Sequence, residues 1–363
     1  MIGESVMYIK LAIIDNDVEY FGRLSDTFSN NYENKIEICF FTDESIALKN
    51  IKETRKFDIV LMNMDKDISS ELPDYLVYGY LGDSNEIESY NGKIVINKYQ
   101  NIDLIYRQLI SLYSEKASSN IGFRNSHDYN CYKIAFVSVA GGVGTSTVAS
   151  AFSMRMARQG KVVYLNLEDF DSTNNFFCAN GNGNLKNIIF ALKSKKTNLS
   201  LKIESEIKQS NEGVYFFDAC DVALDKFSMC NREKIDLIRE LSTKHNFNFV
   251  IADTNISLDE NNLKLLNDFD KIILVSDGST VANAKTYKFL NSLTIVEEIN
   301  EDLSVSKKIN ILYNQFSKKY SKLITDTHVS TVGGINKIKG LEPSELAKNI
   351  SEYQVLDKIV GGQ

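Results

Sequence analysis

Residues 133–147 have the composition of a phosphate-binding segment. An apolar run, KIAFVSV, leads into a loop with three glycines, and a helix-like stretch follows up to Gly160. Closely spaced glycines let successive backbone N–H groups point towards one centre, and a helix N-terminus adds about half a positive charge there. The sequence therefore predicts a phosphate site formed by Gly141, Gly142, Val143, Gly144, Thr145, Ser146 and Thr147.

This loop lacks the lysine that phosphate loops of the Walker A type contain. The Walker A pattern is G-x-x-x-x-G-K-[ST], but Thr145 follows Gly144 in this chain. A charge-assisted hydrogen bond contributes about 1.5–3 kcal/mol, which corresponds to a tenfold to somewhat more than hundredfold change in affinity. Because the backbone amides remain, we expect nucleotide binding in about the micromolar range or somewhat weaker.

Polar residues also occur where later apolar runs end, and the carboxyl ends of parallel strands meet at one edge of a sheet. They are Asn166 and Glu168 at the end of run 161–167, Asp253 after 247–252, and Asn314 after 308–313. Each feature has another interpretation. Glycine loops open helices in proteins that bind no phosphate, Asp253 could cap a helix, and Asn314 could lie in a turn. Their order on successive strands favours one nucleotide site.

The glycine loop resembles the deviant Walker A loop of the MinD/ParA class of ATPases, K-G-G-x-G-K-[ST]-[ST], with Ala140 and Thr145 in place of the two lysines. The resemblance implies ATP and Mg²⁺ as cofactors. It also implies that Ser146 coordinates Mg²⁺ and that Thr147 contacts the α-phosphate. Asp253 would hold the water shell of Mg²⁺, and the side chain of Asn314 would contact the edge of the adenine. Asn166 and Glu168 lie where the class has a D-x-D motif for water positioning and the metal shell.

The same resemblance bears on ATP hydrolysis. In the MinD/ParA class the first lysine crosses an ATP-bridged dimer to the partner's phosphate, a role like that of an arginine finger, whose loss lowers the rate by about 10³–10⁵. Ala140 cannot take this role, and the amide of Asn166 cannot act as a carboxylate towards the attacking water. We expect at most weak ATPase activity, with Asn166 and Glu168 as the remaining catalytic candidates.

Residues 8–115 alternate strand-like apolar runs with helical periodicity and resemble a response-regulator receiver domain. Asp15 and Asp17 follow the first run, and Lys98 lies at the position of the receiver lysine. Asn63 occupies the position of the phosphorylated aspartate, and an amide cannot form an acyl phosphate. We expect a degenerate receiver that serves as a protein-docking surface. The alternative is an unrelated flavodoxin-like domain in which Asp15 and Asp17 are turn residues.

The whole pattern predicts an α/β protein with two doubly wound parallel-sheet domains. Apolar runs without period-2 alternation, joined by amphipathic helices, are typical of parallel strands covered on both faces. We expect a flavodoxin-like receiver domain over residues 1–116, a linker over 117–131, and a MinD/ParA-like P-loop NTPase domain over 132–363. For residues 169–213 we favour solvated surface over a dimer-face loop and helix.

Composition argues against several other classes of protein. The chain has 363 residues and a formal net charge of −7, which gives no general attraction to nucleic acid or anionic lipid. Three histidines, and five cysteines without C-x-x-C spacing, predict neither a zinc site nor a disulfide framework. The sequence has no run of eighteen apolar residues, so we expect no integral membrane segment and a cytoplasmic location.

Together the two domains resemble the TadZ/CpaE family of pilus-assembly proteins. The resemblance implies an ATP-binding, hydrolysis-poor homodimer that forms through the nucleotide-binding domain. It also implies a location at the cell pole or the inner face of the membrane through partners, and recruitment of other Tad-type (type IV) pilus components through the receiver-like domain. The alternative is a cycling MinD/ParA-type ATPase that positions division or DNA cargo. The C-terminal SEYQVLDKIVGGQ lacks the basic amphipathic helix of MinD relatives, which disfavours that alternative.

Overall fold

The computed structural model describes residues 9–32, 35–84, 86–114, 131–181, 183–194, 198–325 and 327–361. The chain folds into two compact units. The N-terminal unit contains Met1–Arg124 and Ser194–Glu206, and the C-terminal unit contains Asn125–Lys193 and Ile207–Gln363. Apart from Cys131, the predicted linker at 117–131 lies outside the described residues.

The strands in chain order are β1 (Ile9–Ile14), β2 (Ile36–Phe41), β3 (Ile59–Asn63), β4 (Val77–Gly82), β5 (Ser89–Tyr90), β6 (Lys93–Asn97), β7 (Tyr132–Val137), β8 (Val162–Asn166), β9 (Lys208–Gln209), β10 (Val214–Phe216), β11 (Phe249–Asp253), β12 (Lys271–Ser276), β13 (Ile309–Phe316) and β14 (Ser330–Asn336). The α-helices are α1 (Val18–Asn31), α2 (Glu44–Thr54), α3 (Ile102–Ser114), α4 (Thr145–Met156), α5 (Leu185–Ser194), α6 (Leu199–Glu206), α7 (Ala223–Phe227), α8 (Asn231–Lys244), α9 (Glu260–Asn267), α10 (Thr280–Ile299) and α11 (Pro343–Ser351). Among the described residues, no helix is both long and apolar enough to cross a lipid bilayer.

The N-terminal unit is a sheet in the order β2-β1-β3-β4-β6-β5, with β5 antiparallel to β6 and the other neighbours parallel. Strand β1 lies between β2 and β3 and is buried on both faces over residues 11–14. Leu11 and Ile13 share a core with α1 and α3, whereas Ala12 and Ile14 share a core with α2. Successive side chains of a strand point to opposite faces, which explains why these four consecutive residues are all apolar.

Helix α6 packs within the N-terminal unit, although it lies far along the chain. Leu201 is buried in the core that α1 and α3 form. Glu204 accepts a 2.8 Å hydrogen bond from the Tyr106 hydroxyl of α3 and forms a salt bridge with Lys35. The interpretation of 169–213 as solvated surface is therefore wrong for α6. Its short amphipathic pattern could not show which helix it would pack against.

The C-terminal unit has a sheet in the order β14-β13-β12-β7-β11-β8-β10-β9, in which β9 alone among the described strands is antiparallel to its neighbour. The predicted α/β class with two mainly parallel sheets is confirmed. The sequence analysis missed β14. This edge strand, STVGGIN, is only partly buried and contains two glycines, so it has no apolar run that would predict it.

Candidate functional site

The glycine loop connects β7 to α4. Gly142 and Gly144 have φ angles of +77° and +82°, a left-handed backbone that residues other than glycine rarely adopt. A Cβ atom added at Gly144 would also lie 2.5 Å from Nδ2 of Asn314. At Gly144 both the backbone angle and the available space therefore exclude a side chain, and the loop conformation depends on glycine.

Two amide side chains of β13 hold this loop in place. Nδ2 of Asn314 donates a 2.9 Å hydrogen bond to the carbonyl oxygen of Val143, and Nε2 of Gln315 donates one of 3.1 Å to the carbonyl oxygen of Gly142. β13 continues to Phe316, so Asn314 lies within the strand rather than after its end. The amide of Asn314 stabilises the loop, and its contact with adenine remains a prediction.

Helix α4 directs its N-terminus at the loop and is buried on most sides. Its first turn consists of Thr145, Ser146 and Thr147, and Gly144 is its N-cap. The helix packs against the sheet and against α11, so the sequence is rich in small residues such as Ala149. Tight packing fixes the direction of the helix, and its unpaired N–H groups and dipole favour an anion at this end.

Asp253 ends β11 and lies beside Asn166 at the end of β8, because the two strands pair in parallel with these residues in register. Oδ2 of Asp253 accepts hydrogen bonds from the Tyr164 hydroxyl at 3.1 Å and from Nδ2 of Asn166 at 3.4 Å. Oδ1 is buried and has no hydrogen-bond partner among the described residues. Burial raises the pKa of Asp253 to about 7, and the charge of Glu168 acts in the same direction.

Glu168 and Ser146 lie close to this buried carboxylate. Burial raises the pKa of Glu168, Lys226 opposes this effect, and Asp171 adds to it. The Ser146 hydroxyl acts to lower the pKa of both Glu168 and Asp253, so the hydroxyl lies near both groups. Two carboxyl groups that resist ionisation and one hydroxyl therefore converge at the start of α4.

These oxygen atoms fit a magnesium ion that arrives with a phosphate ligand. The described residues contain no group of three His, Cys, Asp or Glu side chains that could hold a metal ion by themselves. Mg²⁺ prefers oxygen ligands and is usually bound through one or two carboxylates together with water and substrate phosphates. The unpaired Oδ1 of Asp253, with Glu168 and Ser146, provides such a partial set.

A buried lysine, Lys226 of α7, lies beside the same residues. Its Nζ donates hydrogen bonds to Oδ2 of Asp171 at 2.6 Å and to Oδ1 of Asn166 at 3.2 Å. Its charge also lowers the pKa of Glu168 and Asp253. The sequence analysis missed Lys226 because it belongs to no motif, and only the tertiary fold brings α7 to the end of β8.

The N-terminal unit has a separate polar cluster at the carboxyl ends of β1, β3 and β6. Nζ of Lys98 lies 3.1 Å from Oδ2 of Asp15 and 2.6 Å from Oδ1 of Asp83. Nδ2 of Asn63 donates a 3.1 Å hydrogen bond to the same Oδ2 of Asp15. Burial acts to raise the pKa of Asp15, but hydrogen bonds from the backbone of Asp17 and from Lys98 and Asn63 hold it below its usual value.

Asp17 has a different role from Asp15. Its side chain accepts a 3.0 Å hydrogen bond from the backbone N–H of Tyr20 and caps the N-terminus of α1. Capping residues of this type satisfy N–H groups that have no partner within the helix. Asp17 is therefore a helix cap and Asp15 belongs to the buried ionic cluster, so the alternative in which both are turn residues is wrong.

Comparison with known families matches both units of the chain. A family model described as "TadZ-like, receiver domain" matches residues 7–114, and one described as "AAA domain" matches residues 131–305. The chain joins a TadZ-like receiver domain to an AAA domain. No curated protein matches this chain.

Solved structures resemble the part that contains the AAA domain. A ParA family ATPase from Chlorobium tepidum TLS has 16% identity and a TM-score of 0.51, covering 64% of this chain and 98% of its own. The septum site-determining protein MinD from Pyrococcus horikoshii OT3, complexed with Mg-ADP, has 15% identity and a TM-score of 0.46, covering 63% of this chain and 94% of its own. The first of these similarities shows that this part of the chain has the fold of a ParA family ATPase.

The two polar clusters differ in how their charges are paired. In the TadZ-like receiver domain, Lys98 forms an ion pair with Asp15, and the amide of Asn63 donates to the same carboxylate. In the AAA domain, Asp253 keeps an unpaired oxygen beside the glycine loop. The structure brings Ser146, Asn166, Glu168 and Asp253 together, and it adds Gln315 and Lys226, which the sequence analysis did not identify.

Proposed function

We propose that this chain binds ATP with Mg²⁺, hydrolyses it very slowly or not at all, and acts as a dimeric recruitment protein in the assembly of a Tad-type pilus. The match of residues 7–114 to a TadZ-like receiver domain supports the pilus context. The ParA-like fold of the AAA domain supports the nucleotide site, and the replaced loop lysines at Ala140 and Thr145 support slow hydrolysis.

One observation carries the binding proposal. The buried Oδ1 of Asp253 has no partner among the described residues, and the Ser146 hydroxyl at the start of α4 acts on the same carboxyl group. A buried unpaired carboxylate oxygen costs free energy, so such a group persists where a ligand uses it. Mg²⁺, when bound, neutralises phosphate charge. The loop amides would hold phosphate oxygens, and Ser146, Glu168 and Asp253 would hold the ion.

The same residues support slow hydrolysis. Asn166 donates to Asp253 and accepts from Lys226, so its amide has a structural role and cannot accept a proton from water. Ala140 has no charge that could cross to a partner subunit's phosphate. Loss of such a cationic group lowers phosphoryl-transfer rates by about 10³–10⁵.

Slow hydrolysis is consistent with a protein that acts while ATP is bound to it. A ligand that binds only one form of a protein stabilises that form by mass action. ATP held between two AAA domains would therefore maintain a dimer for as long as it is neither hydrolysed nor released. We propose that this dimer lies in the cytoplasm at the pilus assembly site and that the receiver domain, whose Asp15 is already paired with Lys98, supplies protein contacts.

The fate of ATP in the presence of the chain tests this proposal. The purified full chain is incubated with a stoichiometric amount of Mg-ATP, samples are quenched with acid over several hours, and their ATP and ADP are quantified. We expect the nucleotide to remain ATP, and in a parallel titration we expect Asp253→Ala to bind little nucleotide. Rapid accumulation of ADP on the wild-type chain would contradict slow hydrolysis and favour a cycling MinD/ParA-type ATPase.

A further inference from the structure

The proposed nucleotide site has no lysine in its glycine loop, yet a lysine is buried next to its carboxylates. Ala140 and Thr145 occupy the loop positions, whereas Lys226 comes from α7. We propose that Lys226 replaces the missing loop lysine and binds the terminal phosphate of a nucleoside triphosphate. This inference rests on the proposed nucleotide binding and names a residue that distinguishes a triphosphate from a diphosphate.

The burial of Lys226 points to a ligand. The side chains of Lys226 and Asp171 are 2% and 6% exposed and form a salt bridge of 2.6 Å. Removing two charges from water is costly, and a buried ion pair is often no more stabilising than apolar side chains of the same size. Stability alone therefore gives no reason to keep an ammonium group at this position.

Hydrogen bonds connect Lys226 to the proposed metal ligands. Nζ lies 3.2 Å from Oδ1 of Asn166, and Nδ2 of Asn166 lies 3.4 Å from Oδ2 of Asp253. The charge of Lys226 also acts on Glu168 and Asp253, and both of these carboxyl groups interact with the Ser146 hydroxyl of α4. The ammonium, the carboxyl groups and the first turn of α4 therefore border one region.

The bonding capacity of this ammonium allows one more acceptor. A lysine ammonium has three N–H donors, and among the described residues its hydrogen-bond acceptors are Asp171 and Asn166. A triphosphate carries negative charge even with Mg²⁺ bound, and cationic side chains commonly stabilise its terminal group. A diphosphate lacks that group, so Lys226 strengthens the binding of ATP more than that of ADP.

Affinity measurements with matched variants test this role. Calorimetric titration of Mg-ATP and Mg-ADP compares the wild type with Lys226→Met and with the double variant Asp171→Asn/Lys226→Met. The double variant removes both charges and so avoids an unpaired buried carboxylate. We expect both variants to lose about tenfold to hundredfold in ATP affinity, the value of one charge-assisted hydrogen bond, with a much smaller loss for ADP. Lys226→Arg should recover part of the loss.

The chain contains a matched control pair. Lys208 is also 2% exposed and pairs with Asp218 in the same unit. Lys208→Met/Asp218→Asn removes an equally buried lysine and its aspartate, which is 25% exposed, from a part of the sheet edge where no interaction with Asp253 or Ser146 is observed in the described residues. We expect this control to bind ATP and ADP as the wild type does.

Restoring the loop lysine gives a second, independent readout. Thr145→Lys should raise ATP affinity and should reduce the effect of Lys226→Met, because two groups that serve one phosphate give non-additive changes. Equal ATP affinity of the wild type and both Lys226 variants would overturn the inference while leaving nucleotide binding intact. Absence of any nucleotide binding by the folded wild type would instead contradict the proposed function.

Discussion

Asp253 is a buried carboxyl group whose ionisation opposes folding when no cation is bound. Burial raises its pKa from 3.8 to about 7. Between these values the folded chain holds a proton that the unfolded chain releases, so stability falls as the pH rises through this window. Above about pH 7 the folded chain has lost the whole of this pH-dependent stability. In the proposed Mg²⁺ site, Asp253 would bind the ion as a carboxylate. The same ionised group lowers the stability of the folded chain when no ligand is bound.

Replacing the Asp253 carboxyl group by an amide should stabilise the ligand-free chain. In the absence of nucleotide and Mg²⁺, Asp253→Asn should raise the free energy of unfolding at pH 8, on the order of 2 kcal/mol, the usual penalty of an unsatisfied buried group. At pH 5, where Asp253 is already protonated, the gain should be small. Urea unfolding at both pH values measures the difference. The exposed Asp236→Asn of α8 is the control.

A gain of the same size at pH 5 and pH 8 would show that ionisation of Asp253 is not the cause. A loss of stability at pH 8 would show that the carboxylate is better satisfied in the folded chain than its unpaired Oδ1 indicates.

In the receiver domain, one ionic cluster connects residues at the ends of three strands. Lys98 follows β6, Asp15 follows β1 and Asn63 ends β3, and the buried Lys98–Asp15 pair spans 3.1 Å. Hydrogen bonds hold the pKa of Asp15 below its usual value. Its contribution to stability is therefore present above the unfolded value near 3.9 and is lost as the pH falls through the folded pKa.

Replacing Lys98 should strongly destabilise the receiver domain. Lys98→Met leaves Asp15 buried and charged, and loss of one partner of a buried pair costs about 3–5 kcal/mol. We expect a loss of this order at pH 7 that shrinks below pH 4, measured by urea unfolding of the full chain. Lys10→Met removes the more exposed pair with Glu37 and should cost less than about 1 kcal/mol. Equal effects of both variants would contradict a structural role for the buried cluster.

The elements also show what the sequence could predict. The strand, glycine loop and helix at 132–156 follow one another directly, so local pattern was sufficient to predict them. Lys226 and α6 depend on contacts with segments far away in the chain, and no spacing rule indicates such contacts. Asn314 was predicted from its place in the order of strands, but its hydrogen bond to Val143 depends on how β13 and the loop pack.

At the scale of the whole molecule, the two units carry polar clusters of different electrostatic state. In the cluster of the receiver domain, the single ammonium of Lys98 is paired with both Asp15 and Asp83. The cluster of the AAA domain combines carboxyl groups of raised pKa with an unpaired oxygen beside a helix N-terminus. On the proposed function, we expect Mg-nucleotide to act on the AAA domain and the receiver domain to supply protein contacts.

Calorimetric titration of Mg-ATP into the folded full chain tests the central claim most directly. We predict saturable binding in about the micromolar range or somewhat weaker, and loss of that binding in Gly144→Ala, whose side chain meets both a left-handed backbone and the amide of Asn314. Gly340→Ala introduces similar backbone strain in open space and should bind as the wild type does. No saturable heat with the folded wild-type chain would contradict the account.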